Sequence, residues 1–332
     1  MRIVTTLPSA TETVAALGCE PVGVSHECDY PPSAASAPAV TSSRIDTSGS
    51  SGEIDRQVLE TADTEAGVYD IDVETLAALE PDVIVTQGMC DVCAVDVAVI
   101  EDAVDRIAAA PEIVTTDPHS VGDVLGDLER IGRAIGREDR AREVRRDLES
   151  RIEAVRSRTA DIAAEDRPRV AVFDWTEPVM IAGHWTAELV DWASGEYGLA
   201  DVGERSCPRE WDEIRADDPE VVIVAPCGFD LEQIRENRAD LTERDGWNDL
   251  TAVQEGRVWA MDGDQYLNRP GPRLVDTLEA LAPLLQPGLF DGPPADVAVP
   301  FEDLEALGSE HDPLENGSRS DAESRAEVDS SP

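Results

Sequence analysis

Along this chain, apolar runs of strand length alternate with segments of helical period, and one long helical stretch divides the alternation into halves. Such alternation restricts the fold to sheets of mainly parallel strands covered by helices. In the first half, strands are expected at residues 2–6, 22–25, 83–86 and 112–115, and helices at 11–17, 55–59, 73–79 and 94–109. Ser9 stands three residues before Glu12, a capping-box spacing. Residues 33–53, rich in Ser, Ala, Thr and Gly, read as a surface loop. Val121, Val124, Leu125, Leu128, Ile131 and Ile135 then share a helical period, which Gly136 breaks. A second helix, from about Asp139 to Asp161, presents Val144, Leu148, Ile152 and Val155 on one face, and is long enough to bridge two bodies. The second half expects strands at 169–173, 179–181, 221–225 and 258–261, with helices at 186–193, 231–239 and 274–285. The fold class is α/β: two lobes with central sheets flanked by helices, joined by one long linking helix. The boundaries are an N-terminal lobe at 1–118, a helical segment at 119–167, a C-terminal lobe at 168–289 and an acidic, disordered tail at 290–332.

Charge decides which partners are excluded. The chain has 71 Asp and Glu against 27 Lys and Arg, every one of the latter an Arg, for a net charge of -44. Nucleic acid and anionic membrane surfaces are repelled. With 41% hydrophobic residues in regular patterns, the acidity belongs to the surface of a folded protein. It resembles that of proteins from salt-loving archaea, where concentrated salt screens self-repulsion. No apolar run reaches the ~18 residues of a membrane span. The chain as written enters a strand at once, with no basic-then-apolar leader. Six cysteines in 332 residues do not make a disulfide scaffold. The expectation is therefore a cytoplasmic thiol protein, or an extracytoplasmic one if the true start lies upstream.

Several segments together resemble the substrate-binding proteins of iron-siderophore and vitamin B12 ABC importers. They are Arg2-Ile-Val-Thr-Thr-Leu-Pro-Ser-Ala-Thr-Glu12, Val22-Gly-Val-Ser25 and Asp29-Tyr-Pro-Pro32, the last most like the cobalamin branch. They continue with the helix-Pro-acid-strand unit Glu74-Thr-Leu-Ala-Ala-Leu-Glu-Pro-Asp-Val-Ile-Val85 and its echo Asp212-Glu-Ile-Arg-Ala-Asp-Asp-Pro-Glu-Val-Val-Ile-Val224. The resemblance covers roughly residues 1–287. It implies two α/β lobes, a rigid linking helix, a ligand in the cleft between lobes and no catalysis. It also implies that Glu74 and Asp212, one on each lobe, dock on Arg pockets of an ABC permease. The Cys-rich loops look like those of a signal-less, thiol-bearing subgroup labelled cobalamin-binding by similarity.

The candidate site residues follow from position and chemistry. Ser25-His-Glu-Cys-Asp-Tyr-Pro-Pro32 and Gln87-Gly-Met-Cys-Asp-Val-Cys-Ala94 each leave the carboxyl end of an expected strand, where open α/β sheets hold ligands. They contribute His26, Cys28, Tyr30, Gln87, Cys90 and Cys93. Cys90 and Cys93 have the spacing of a chelating pair, with Cys28, His26 or Cys227 as further ligands, but no second pair completes a zinc motif. They suit a redox pair or small buried hydrophobes equally. Ser9 and Glu12, at a helix start facing the cleft, are candidates to meet a corrin amide or phosphate. His26 is a candidate axial ligand to a cobalt corrinoid. His184, at the start of a helix, faces the first lobe in the implied geometry. Trp175 and Trp185 offer flat walls for a macrocycle. Arg269 and Arg273 frame a rigid turn that holds a ligand anion or pairs with the acidic surface. No G-x-S-x-G, H-E-x-x-H or phosphate-cradling loop is present. The reading is non-catalytic binding of a corrinoid or metal chelate for ABC uptake, with cobalamin or another corrinoid as ligand and no cofactor required. The alternative is a cytosolic thiol or metal-site protein or enzyme built on Cys28, Cys90 and Cys93.

Overall fold

The computed structural model describes residues 1–62, 67–89 and 94–307. The first lobe is built on β1 (Ile3–Thr5), β4 (Val83–Gln87) and β5 (Glu112–Thr116), all parallel, in the order β1-β4-β5. Each residue of β4 is buried, as expected of a strand covered on both faces. The strand expected at 22–25 is reduced to single parallel bridges, Val4 to Gly23 and Val24 to Ala39. The stretch 33–53 is more than a loop. It carries β2 (Thr41–Ser43), which pairs antiparallel with β3 (Tyr69–Ile71), and the start of a helix at Ser51. Short, Ser-rich strands carry almost no periodic signal, so the pattern missed them.

The second sheet has six strands in the order β11-β10-β9-β6-β7-β8. Its parallel centre is β6 (Val170–Thr176), β9 (Val221–Val224) and β10 (Val258–Met261). Antiparallel edges are added by β7 (Val179–Ile181), β8 (Cys207–Pro208) and β11 (Ala298–Pro300). The last strand corrects the expected tail. Residues 298–300 pair with β10, and the segment 298–304 buries Val299, Phe301 and Leu304 in the second lobe. Residues 308–332 lie outside the described residues.

The doubled helix-Pro-strand unit closes the same way in both lobes. The helix Val73–Leu79 ends on Glu80 (φ 42°) and the helix Trp211–Asp217 on Asp218 (φ 46°), each left-handed and each followed by proline. Asp72 caps the first of them, accepting from the N–H groups of Glu74 and Thr75. Between the lobes run the helix Val121–Ala134 and the linking helix Glu138–Thr159. The 22 residues of the latter make a rod about 33 Å long. Ala141, Val144, Leu148, Ile152 and Val155 bury its inner face. One crossing was unforeseen: the helix Ser51–Ala62, from the first half of the chain, sets Ile54 into the core of the second lobe. The Ser51 N–H donates to Asn237 Oδ1 at 2.9 Å.

Candidate functional site

Loops from both lobes meet around one buried carboxylate. After β1 the chain enters the helix Pro8–Ala16. Pro8 sits in its first turn, where a missing N–H is harmless, and Leu7 is the cap, without a side-chain hydrogen bond. Ser9 therefore lies inside the helix, and the capping-box expectation is corrected: proline starts this helix. One turn on, Glu12 is buried to 2% exposure. From the second lobe comes the turn after β10. Arg269 Nη1 donates to Glu12 Oε1 at 3.2 Å and to Asp29 Oδ1 at 2.5 Å, and its Nη2 donates to Asp264 Oδ1 at 3.0 Å. Arg273 Nη1 lies 3.4 Å from Glu12 Oε1, and its Nη2 donates to Gln265 Oε1 at 3.1 Å. The Arg273 guanidinium also lies over the rings of Tyr30 (4.6 Å) and Tyr266 (4.9 Å). Gly271 permits this approach: a Cβ there would stand 3.2 Å from Glu12 Oε2 and 3.3 Å from the Ser9 carbonyl oxygen.

Burial pushes the Glu12 carboxyl up to about 7, against the opposing pull of Arg269 and Arg273. Its Oε2 has no hydrogen-bond partner among the described residues. The sign of the linkage follows. A carboxyl raised from 4.5 to about 7 favours the fold fully below 4.5 and loses that contribution as pH rises through 7. The loss amounts to about 3 kcal/mol. Glu12→Gln, which mimics the protonated acid, is expected to gain about 3 kcal/mol relative to the native chain between pH 4 and pH 8. Urea unfolding across that range measures it, and a pH-independent difference would exclude an ionisable Glu12 in this cluster.

The structure thus brings Ser9, Glu12, Tyr30 and Arg269 together. Cys28 joins them from behind: its Sγ is 3.0 Å from Thr11 Oγ1, which is 2.6 Å from Thr5 Oγ1. Burial pushes its thiol up to about 11, so it is inert at neutral pH. A protonated thiol is a poor nucleophile. Cys90 and Cys93 lie outside the described residues. Among the described residues no group of three or more His, Cys, Asp or Glu is arranged for a metal.

The remaining candidates are dispersed. His26 is exposed, with Nδ1 at 2.8 Å from Thr41 Oγ1. Gln87 is buried at the end of β4, and its Oε1 has no partner among the described residues. Cys227 is exposed in the loop after β9. Trp175 is half-buried against Phe229, with ring centres 5.1 Å apart. Trp185 is corrected from ligand wall to core: it is 4% exposed and donates its indole N–H to the Leu267 carbonyl at 2.7 Å. His184 precedes the helix Thr186–Trp192, stacks on Trp185 and faces His119. Glu74 and Asp212 are exposed, each in the first turn of its helix.

Asp29, Asp264 and His119 escaped the sequence reading. Asp29 and His119 each follow a strand or bridge of the first parallel sheet, and Asp264 follows β10 in the second. That position was the signal for His119 and Asp264, and Asp29 also opens the Asp-Tyr-Pro-Pro element of the resemblance.

A model of the periplasmic binding protein family matches residues 3–265. An uncharacterised ABC transporter substrate-binding lipoprotein of Bacillus subtilis is 24% identical over 87% of this chain and 81% of its own. The vitamin B12-binding protein of Vibrio cholerae is 22% identical over 86% of this chain and 89% of its own. Among solved structures, the periplasmic heme-binding protein RhuT of Roseiflexus aligns with a TM-score of 0.65 at 22% identity, over 87% of this chain and 99% of that one. The family match spans most of the chain and the solved structure shares its two-lobe fold, and the chain belongs to the periplasmic binding protein family.

Proposed function

We propose that the chain captures a corrinoid in the cleft between its lobes and delivers it to an ABC importer. One observation carries the choice of ligand. Both guanidiniums at the lobe interface, Arg269 and Arg273, are already engaged by Glu12, Asp29, Asp264 and Gln265. With Glu12 about half protonated near pH 7, Asp29 and Asp264 already balance the two guanidiniums, which leaves no spare cation for a ligand that enters as an anion. A neutral, amide-fringed corrin suits such a wall, whereas a heme with two free carboxylates finds no cation there to pair with. The vitamin B12-binding relative supports the same reading. Exposed Glu74 and Asp212 supply an acidic contact on each lobe for the permease.

Calorimetric titration in molar KCl with cobalamin, cobinamide and hemin tests this. At least one corrinoid is expected to bind with one-to-one stoichiometry, and about tenfold or more tighter than hemin. Tighter binding of hemin overturns the assignment.

A further inference from the structure

His119 and His184 reach each other from opposite lobes, and neither has a part in the charged cluster. His119 follows β5, and His184 follows β7. Their ring centres are 5.4 Å apart with planes inclined by 39°. Two imidazoles bound to one ion through nitrogens at ~2.1 Å and a tetrahedral angle hold their ring centres about 5 Å apart. The two rings already stand at that spacing.

Three further observations concern the same pair. His184 Nδ1 is buried and has no hydrogen-bond partner among the described residues. Such orphaned nitrogens are rare in folded proteins and call for something to occupy them. His119 Nε2 lies 3.2 Å from Asp117 Oδ1, the carboxylate–histidine arrangement that fixes the tautomer and leaves the other nitrogen for a metal. The backbone at His184 has φ +53°, in the left-handed region. It is clamped there: its N–H donates to the Glu204 carbonyl at 2.5 Å, and its carbonyl accepts from the Gly203 N–H at 2.9 Å. At the neighbouring Gly183 a Cβ would fall 2.2 Å from the Glu204 oxygen. Backbone strain held by several contacts is concentrated at functional sites. Burial, His119 and Arg205 keep His184 below the usual histidine range despite Asp117, which favours the neutral, ligating imidazole.

We propose that His119 and His184 form a two-imidazole site, spanning the lobes, for a borderline divalent transition-metal ion of the Ni2+, Cu2+ and Zn2+ class. Nitrogen donors select that class over Mg2+ and Ca2+. Asp117 orients one ring, and water fills the remaining coordination positions.

The test is titration of the full chain with Ni2+ alone, followed by calorimetry, for the native protein, His119→Ala, His184→Asn and a Cys90→Ser/Cys93→Ser double variant. Asn is chosen because it tolerates the left-handed backbone without supplying an imidazole. The native chain and the cysteine variant are expected to bind one Ni2+, and each histidine variant to weaken binding at least about tenfold. As a readout independent of variant folding, Ni2+ is expected to protect both histidines of the native chain from diethylpyrocarbonate. No Ni2+ binding by the native chain, unchanged affinity in either histidine variant, loss in the cysteine variant alone, or absence of protection overturns the site. None of these outcomes depends on whether a corrinoid binds.

Discussion

Ending the chain at residue 296 is expected to unfold it, whereas ending it at 307 is expected to leave its melting temperature unchanged. The first cut removes β11, whose residues pair with Trp259, Ala260 and Met261 on β10. It also removes Val299, Phe301 and Leu304, which are 6%, 7% and 0% exposed. The Phe301 ring packs 6.0 Å from Trp247. Each large apolar side chain contributes about 1.5–3 kcal/mol by burial alone, before the cost of the empty space it leaves. Losing three of them and a strand approaches the 5–15 kcal/mol by which whole domains are stable. The second cut removes residues 308–332, whose apolar side chains are only Leu314, Ala322, Ala326 and Val328 beside two prolines. Circular dichroism of both truncations decides the matter: a folded 296-residue chain would mean that β11 is dispensable.

Melting temperature is expected to climb by ~10 °C or more between 0.1 and 3 M KCl. Two terms oppose each other. Salt weakens the many Arg–carboxylate pairs, but most of these are solvent-exposed and contribute about 0–1 kcal/mol each. Against them stands the mutual repulsion of a surplus of 44 negative charges. At 0.1 M salt the Debye length of about 10 Å lets neighbouring carboxylates repel, and at 1 M it falls to about 3 Å. Because 71 acids face only 27 bases, repulsion outweighs attraction and screening stabilises. A thermal scan in KCl measures this, with NaCl as a check on ion identity. A melting temperature independent of salt would remove the case for a salt-adapted surface.

Elements packed on near neighbours were the ones readable from periodicity. The expected helix at 73–79 and the strands at 179–181 and 258–261 coincide with the observed elements, because a local pattern of burial dictates each. The buried face of Val144, Leu148, Ile152 and Val155 was legible for the same reason. Periodicity reports that a face is covered, not what covers it. Ser51 meets Asn237 across 186 positions and Glu12 meets Arg269 across 257, so neither contact leaves a trace in any short window. The Arg pair framing a rigid turn was legible, but its engagement by Glu12, Asp29 and Asp264 was not. In a chain this acidic, nothing local distinguishes a buried carboxylate from a solvated one. His119 was missed because a lone histidine acquires meaning only when a second ring is brought opposite it.

The helix Ser51–Ala62 and the linking helix tie the halves of the molecule at two separate places. A body pinned at one point can tumble, but a body pinned at two turns only about the line through both pins. On the proposed function, opening of the lobes is thereby expected to follow a single rotational coordinate, with the Arg269–Glu12 contact returning in the same register on closure. The lobes need not search orientations in order to close. Ordering entropy that two freely tethered domains would surrender on each capture was surrendered once, when the chain folded.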